Sequence, residues 1–486
     1  MELSRVQVAE GGRYFVTEEG VPFLVIGHNE ALPWPNLRPL LGRRDLPAVE
    51  AHLAMLATCG VTVLRVMLED CEEEAWFFED PVGRPRPEVV QCWDDLILLC
   101  ERFGLRLLVV FWDTFHLFLG WDRHPYGRPG CGFDGPASFC TSPAALEVQK
   151  QRIAFFIDRW GGSPAIFGYD LFNELHASWG GQPGDQFRWV TEVAQFVRER
   201  ELSRWGKRHL LTASSFGGTP FPEYQELVFC HPALDFASTH MYTFGTVDNP
   251  ENTIDCALVV RDAVAYAVSR MREPRPYTDT ESGPIHRFMD LGHTLPEAFD
   301  DEYFHNMSWA HLATGGAGGG MRWPFRDPHC LTAGMHAVQR GMSRFLAAVD
   351  WVRFAPAPID PWLRVVPRST ASGPLAPPLR VIPFGCADER QAVIWLLRDL
   401  RVSAAEPPVR SADLILQDLS AGTWVCSFWS TWEGERIGER SFRMEGGEVR
   451  LPLPSFARDL AIAIRRVENP AGSYPPGAAG EGISPR

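Results

Sequence analysis

Two short stretches of this sequence carry carboxylic acids where acid–base and nucleophilic chemistry need them. One is Tyr169-Asp170-Leu171-Phe172-Asn173-Glu174-Leu175, the other Tyr277-Thr278-Asp279-Thr280-Glu281-Ser282-Gly283. Two carboxyl groups held about 5–5.5 Å apart can open an acetal between sugars with retention. One protonates the leaving oxygen, and the other attacks the anomeric carbon. Glu174 and Glu281 lie far apart in the chain, so this chemistry requires a fold that brings them face to face. Other chemically able residues punctuate the first two-thirds of the sequence. They are His28-Asn29, Arg65, Glu69-Asp70, Trp112-Asp113, His116, His240-Met241-Tyr242 and Arg322-Trp323.

These groups fall at or near the ends of eight apolar, β-rich runs: 23–27, 61–67, 105–111, 166–172, 209–213, 234–239, 275–280 and 316–321. Each run is nearly continuous in apolar or small residues, as a parallel strand buried on both faces must be. Helical patterns lie between them, at 46–59, 93–103, 144–159, 185–204, 255–271, 301–313 and 336–349, with room for only a short helix at 222–228. Strand and helix alternating eight times predicts an α/β fold, a (β/α)8 TIM barrel over residues 1–350. Active sites of such barrels form at the C-terminal ends of the strands. Polar groups at seven of the eight ends therefore predict one shared site, with Glu174 after strand four and Glu281 after strand seven.

The Asn-Glu pair ending strand four and the Glu ending strand seven resemble the clan A barrel glycoside hydrolases. Within that clan, family 5 and its β-mannanase and cellulase members are the most similar. The resemblance extends through Arg65, His240-x-Tyr242 and Trp323, and covers the barrel. It implies that Glu174 is the acid/base and Glu281 the nucleophile, and that Asn173 bonds the sugar 2-hydroxyl. It further implies that Arg65 and Tyr242 hold Glu281 ionised, that His240 tunes Glu174 or meets substrate, and that Trp323 stacks under the sugar. Trp112-Asp113 after strand three resembles the mannanase branch, while a His common in family 5 is displaced to His116. Trp112, Asp113, His116 and Asn29 are further candidates for substrate contact, as is His28. So is Arg322, which in that place would meet a charged sugar or pair with Glu281. Of Trp34, Trp112, Trp121 and Trp179, all in strand-to-helix loops, Trp112 is the best candidate for a sugar platform.

Composition limits the rest. The chain has 486 residues, 45% hydrophobic and 22% charged, enough for a large core and a second unit. A net charge of −15 argues against a nucleic-acid partner, since phosphate binding needs a basic face, and suits a neutral or weakly polar substrate. Eleven cysteines occur without a CxxC pair, so buried thiols in a reducing compartment are expected and a zinc site is not. No metal or organic cofactor is implied. No basic leader precedes an apolar run, and the apolar stretch 105–121 is broken by charge. A cytoplasmic enzyme with no membrane span is the expectation. Pro-rich sequence at 351–379 reads as a linker or wrapping segment, 380–468 as an antiparallel β-sandwich with a hairpin turn at Glu445-Gly446-Gly447, and 469–486 as a disordered tail. The sandwich is expected to pack on the barrel rather than bind sugar. A transglycosylase using the same site and a carbohydrate-binding barrel of little activity are the alternatives. A metal-dependent hydrolase is disfavoured, because strand one offers His28 without a second His two residues away.

Overall fold

The computed structural model describes residues 3–70, 73–175, 180–287, 293–368, 379–401, 407–417 and 419–467. Parallel strands form at Val25–Glu30, Val63–Met67, Arg106–Val110, Ile166–Asp170, Leu210–Thr212, Ala237–Phe244, Tyr277–Ile285 and Gly318–Arg322. Strand five continues, after Ala213-Ser214, as Ser215–Phe216. Its first piece bonds to strand four and its second to strand six. Strand eight pairs with strand one, so the ring of eight is closed through the broken fifth strand. Strands one, three, four and eight are buried along their whole length and strand two up to Met67, as parallel strands covered on both faces must be.

The helices start and stop where local chemistry dictates. Proline occupies the first turn of Pro87–Phe103, Pro143–Trp160 and Pro183–Trp205, where the missing N–H costs nothing. Gly104 and Gly206 close two of them in the left-handed conformation. The short helix expected near 222–228 is Pro222–Gln225, which runs into a π-turn at Glu226–Cys230. Strand eight lies so close to strand one that a Cβ on Gly318 would run into the Val25 carbonyl. An N-terminal antiparallel trio, Val6–Val8, Phe15–Thr17 and Pro22–Phe23, escapes the sequence reading. Its Phe15 and Phe23 pack on Phe167 of strand four, sealing the end of the barrel away from Glu174 and Glu281.

The C-terminal unit holds two antiparallel sheets. One contains 357–358, 381–387, 391–398, 459–466, 422–430 and 435–444; the other contains 363–367, 412–417 and 448–452. Residues 357–367, expected as linker, thus supply a strand to each sheet. The turn at 445–447 also differs from expectation. It does not close a hairpin but carries the chain from one sheet to the other. Leu396, Leu414, Trp424, Phe428, Leu451 and Ile462 fill the space between the sheets. The outer face of the larger sheet joins the barrel's own core through Phe384, Trp395 and Ala461. At that junction Asp459 Oδ2 accepts from His305 at 2.7 Å, Trp395 at 2.7 Å and Thr431 at 2.8 Å. The cysteines among the described residues are free thiols. Among those residues no helix is long and apolar enough to cross a membrane. The tail 469–486 and Trp179 lie outside the described residues, as does the side chain of His116.

Candidate active site

Arg65 sits in the middle of strand two, fully buried, and organises the mouth of the barrel. Its Nη1 donates to Glu281 Oε1 at 2.5 Å and to Asn29 Oδ1 at 3.0 Å. Its Nη2 donates to Asp170 Oδ2 at 2.8 Å and Asn173 Oδ1 at 2.6 Å. Burial works against its charge, but Glu281 and Asp170 more than compensate and keep the guanidinium protonated. A buried arginine survives only with such partners.

Glu281 is clasped from two sides. Arg65 holds Oε1, and the Tyr242 hydroxyl donates to Oε2 at 2.6 Å. A bulge places it there. Strands six and seven pair Thr239 with Asp279 and then His240 with Glu281, leaving Thr280 as the extra residue. Bulges re-aim side chains beside active sites. The Glu281 N–H is held by Asp279 Oδ1 at 3.1 Å. Burial forces Tyr242 far above the usual phenol range, with Glu281 and Glu174 adding to it, so it remains a donor.

Glu174 faces Glu281, and carboxylate oxygens of the two approach within 4.8 Å. Its backbone is left-handed, φ 54°, a strained conformation for a residue with a side chain. Three contacts hold it there: its N–H donates to Ser214 Oγ at 3.2 Å, its carbonyl accepts from Thr114 at 2.9 Å, and Ser214 N–H is anchored on Asp170 at 3.0 Å. The carboxyl meets His240 Nδ1 at 2.6 Å, and His240 Nε2 meets Thr280 Oγ1 at 3.1 Å. Burial raises Glu174 well above the carboxylate range, and the charges of Glu281 and Asp113 raise it further. Burial raises Glu281 as well, but Arg65 and Tyr242 pull it back. These surroundings favour the proton on Glu174 and the charge on Glu281.

The remaining expected residues divide into those the fold brings to this centre and those it does not. Asn173 is present, with Oδ1 on Arg65 and one N–H on Asp113 at 2.6 Å, leaving its second N–H uncommitted to either. Asp113 and Asn29 serve from behind: Asp113 orients Asn173, and Asn29 bridges Arg65 to the Thr280 carbonyl at 2.9 Å. Trp323 is half-buried and meets Trp34 edge-on at 4.9 Å, an aromatic corner beside Glu281's strand.

Four expectations need correction. Trp112 is no sugar platform: it is 2% exposed, packed against Phe139 and Trp189, with its N–H on Tyr126 at 3.3 Å. Trp121 is buried too, among Phe118, Tyr126 and Phe133. Arg322 neither pairs with Glu281 nor waits for a charged sugar. It is fully buried and donates to Asp300 at 2.6 Å, an acid it shares with Arg326. His28 turns away from Arg65 and lies 3.3 Å from Glu30. Asp170, Ser214, Thr280 and Asp279 were missed. Asp170 carried a usable signal, an acid inside an otherwise apolar strand.

Among the described residues, two groups of acids and histidines are close enough to share a cation: Glu174/His240/Glu281 and His28/Glu30/His52. In the first, the Arg65 charge and the Tyr242 hydroxyl already occupy Glu281, which leaves little for a metal to neutralise. What this centre can do is hold a proton on one carboxyl, keep the other ionised less than 5 Å away, and exchange those states.

No family model matches the chain. Its sequence is similar to mannan endo-1,4-beta-mannosidase A of Podospora anserina, 25% identical over 241 residues, 42% of this chain and 57% of that protein. It is also similar to a probable mannan endo-1,4-beta-mannosidase F of Aspergillus flavus, 22% identical over 270 residues, 48% of this chain and 54% of that protein. The chain thus spans about half the length of the curated relatives it matches. In fold it is similar to a glycoside hydrolase family 5 structure from Bacteroides vulgatus, with TM-score 0.58 and 14% identity, covering 95% of this chain and 92% of that one. A family 5 mannosidase from Rhizomucor miehei gives TM-score 0.52 and 15% identity, over 71% and 97% of the two chains. The barrel with a C-terminal β-domain and the likeness to clan A, family 5-type proteins both stand.

Proposed function

We propose that this chain is a retaining O-glycosyl hydrolase acting on short β-linked mannosyl oligosaccharides. The observation that carries the reading is the pair Glu174 and Glu281, within 4.8 Å of each other, the one pushed up by burial and its acidic neighbours, the other clasped by Arg65 and Tyr242. That separation belongs to double displacement; an inverting pair stands further apart to admit water.

In the first step Glu281 attacks the anomeric carbon while Glu174 gives its proton to the leaving oxygen. Esterification removes the charge on Glu281, and with it one of the causes that hold Glu174 protonated. Glu174, now an anion, takes a proton from water, which opens the glycosyl-enzyme. His240 can donate from Nδ1 to Glu174 Oε1 in both states, so the 2.6 Å contact survives the step and the other oxygen, Oε2, is left to carry the transferred proton. The uncommitted N–H of Asn173 is suited to the sugar 2-hydroxyl, and the Trp34–Trp323 corner to an apolar sugar face.

The choice of mannose rests on the two mannan-hydrolysing relatives. The choice of short substrates rests on the strand-three loop, where Phe118, Trp121 and Tyr126 are packed into a solid aromatic wall with Phe133 and Phe139. The test is a panel of aryl β-glycosides and β-1,4-linked manno-, gluco- and galacto-oligosaccharides, with Glu281→Ala alongside. Hydrolysis of the manno-series that collapses in the variant supports the reading. Equal rates in both proteins remove Glu281 from the mechanism, and internal cleavage of polymeric mannan overturns the preference for short chains.

A further inference from the structure

Strand one ends in His28-Asn29-Glu30, and alternation along a strand sends its side chains to opposite faces. Asn29 turns inward to Arg65. His28 and Glu30 turn outward, toward helix Leu46–Thr58, which carries His52, and helix Ala333–Phe345, which carries His336 and Gln339. We propose that His28, Glu30 and His52 form a site for one divalent transition-metal ion, with zinc the best match.

The geometry is that of a ligand set. Glu30 Oε1 lies 3.3 Å from His28 Nε2 and 3.0 Å from His52 Nε2, and the three atoms all fall within 4.8 Å of one another. Bonds of about 2.0–2.1 Å at tetrahedral angles place ligand atoms roughly 3.3 Å apart. Two imidazoles and one carboxylate, with water as a fourth ligand, suit zinc.

The carboxylate itself is unbalanced. Asn36 Nδ2 also reaches Oε1, at 3.0 Å, so three groups converge on an oxygen with two lone pairs. Oε2 is buried with no partner. Burying a carboxylate requires a compensating cation, and its ion-pair partners among the described residues are these two histidines alone. A metal ion supplies that charge and draws the imidazole lone pairs instead of their protons.

The surroundings suit ligation. The His52 side chain is 12% exposed and gives a way in. With metal on Nε2, His28 keeps its proton on Nδ1, where Gln339 stands at 3.3 Å; its amide must then turn its oxygen to accept that proton. The same strand end carries Asn29, so an ion here would brace the residue that bridges Arg65 to strand seven. None of this depends on the chain being a glycosidase.

The probe is cobalt(II), added to the full chain after chelator treatment and dialysis. One equivalent should bind with the visible d–d bands of a four- or five-coordinate site, and zinc should bleach them. His52→Ala and Glu30→Gln should lose the bands while circular dichroism is unchanged, and Gln339→Leu should weaken affinity about 10- to 100-fold. Where His52→Ala fails to fold, His52→Gln takes its place, since its amide can still donate to Glu30 but cannot supply the imidazole. Glu281→Gln should keep the bands. Absence of bands in the wild type overturns the proposal. So do bands that persist in folded His52 variants and vanish in Glu281→Gln, which would place the ion between the central carboxyls.

Discussion

Removing one oxygen, by Tyr242→Phe, isolates the electrostatics of the site. The phenol donates to Glu281 Oε2 at 2.6 Å and helps hold an otherwise raised carboxyl down. A hydrogen bond to a buried charged group contributes about 1.5–3 kcal/mol. Its loss should therefore raise the Glu281 pKa further. The sign follows from the role: Glu281 must be ionised to attack, so activity on the acid side rises as it loses its proton. Raising its pKa moves the acid limb of kcat/KM toward higher pH. At the optimum the rate should fall by roughly 10- to 100-fold at most, because the attacking carboxylate gives up its charge as the bond forms. The assay is kcat/KM against pH on an activated aryl β-mannoside, for wild type and variant, with thermal melts to show both are folded. A folded variant whose acid limb has not moved would refute the assignment of Tyr242 and weaken the case for Glu281 as nucleophile.

Three further outcomes follow from the geometry. Glu174→Ala should lose about 10²–10⁴-fold on oligosaccharides but far less in the first step on dinitrophenyl glycosides, whose leaving group needs no proton; equal losses on both, in stopped-flow bursts, would contradict its role as acid. Asp300→Ala strips Arg322 of its carboxylate and should cost about 3–5 kcal/mol in urea unfolding, while activity on neutral sugars per folded molecule holds. Burial pushes Glu69 upward, but Arg152 and His124 override it and hold the carboxyl near 2, below its ordinary 4.5. That depressed value contributes about 3 kcal/mol, present above pH ~4.5 and lost as pH falls toward ~2. Glu69→Gln should flatten the acid limb of the stability curve in that window, and an unchanged slope would exclude the effect.

Much of this was legible in sequence because the barrel buries its strands on both faces. Runs such as 105–111 and 166–172 need no partner in view to be recognised, and their ends announce the polar groups. The left-handed backbone at Glu174 and the bulge at Thr280 left no trace, since both are imposed by neighbours distant in the chain, Ser214 and His240 among them. Trp112 and Arg322 misled for the same reason. Each stands where a substrate contact was expected, and only three dimensions reveal the Trp112 N–H on Tyr126 and Arg322 Nη2 on Asp300. Spacing rules for metal ligands also look along the chain. His28, Glu30 and His52 escape them because a strand and the following helix assemble the set. The edge strand 357–358 was hidden by proline within the expected linker.

An accessory domain that captures polymer works as a hand on a tether, free to land where the chain of sugars happens to lie. The sandwich here is masonry. Its larger sheet lends Phe384 and Trp395 to the barrel's interior, and Asp459 is shared by donors from both sides of the seam. Any surface it presents stands at a fixed distance from Glu281, held by a seam that belongs to both units.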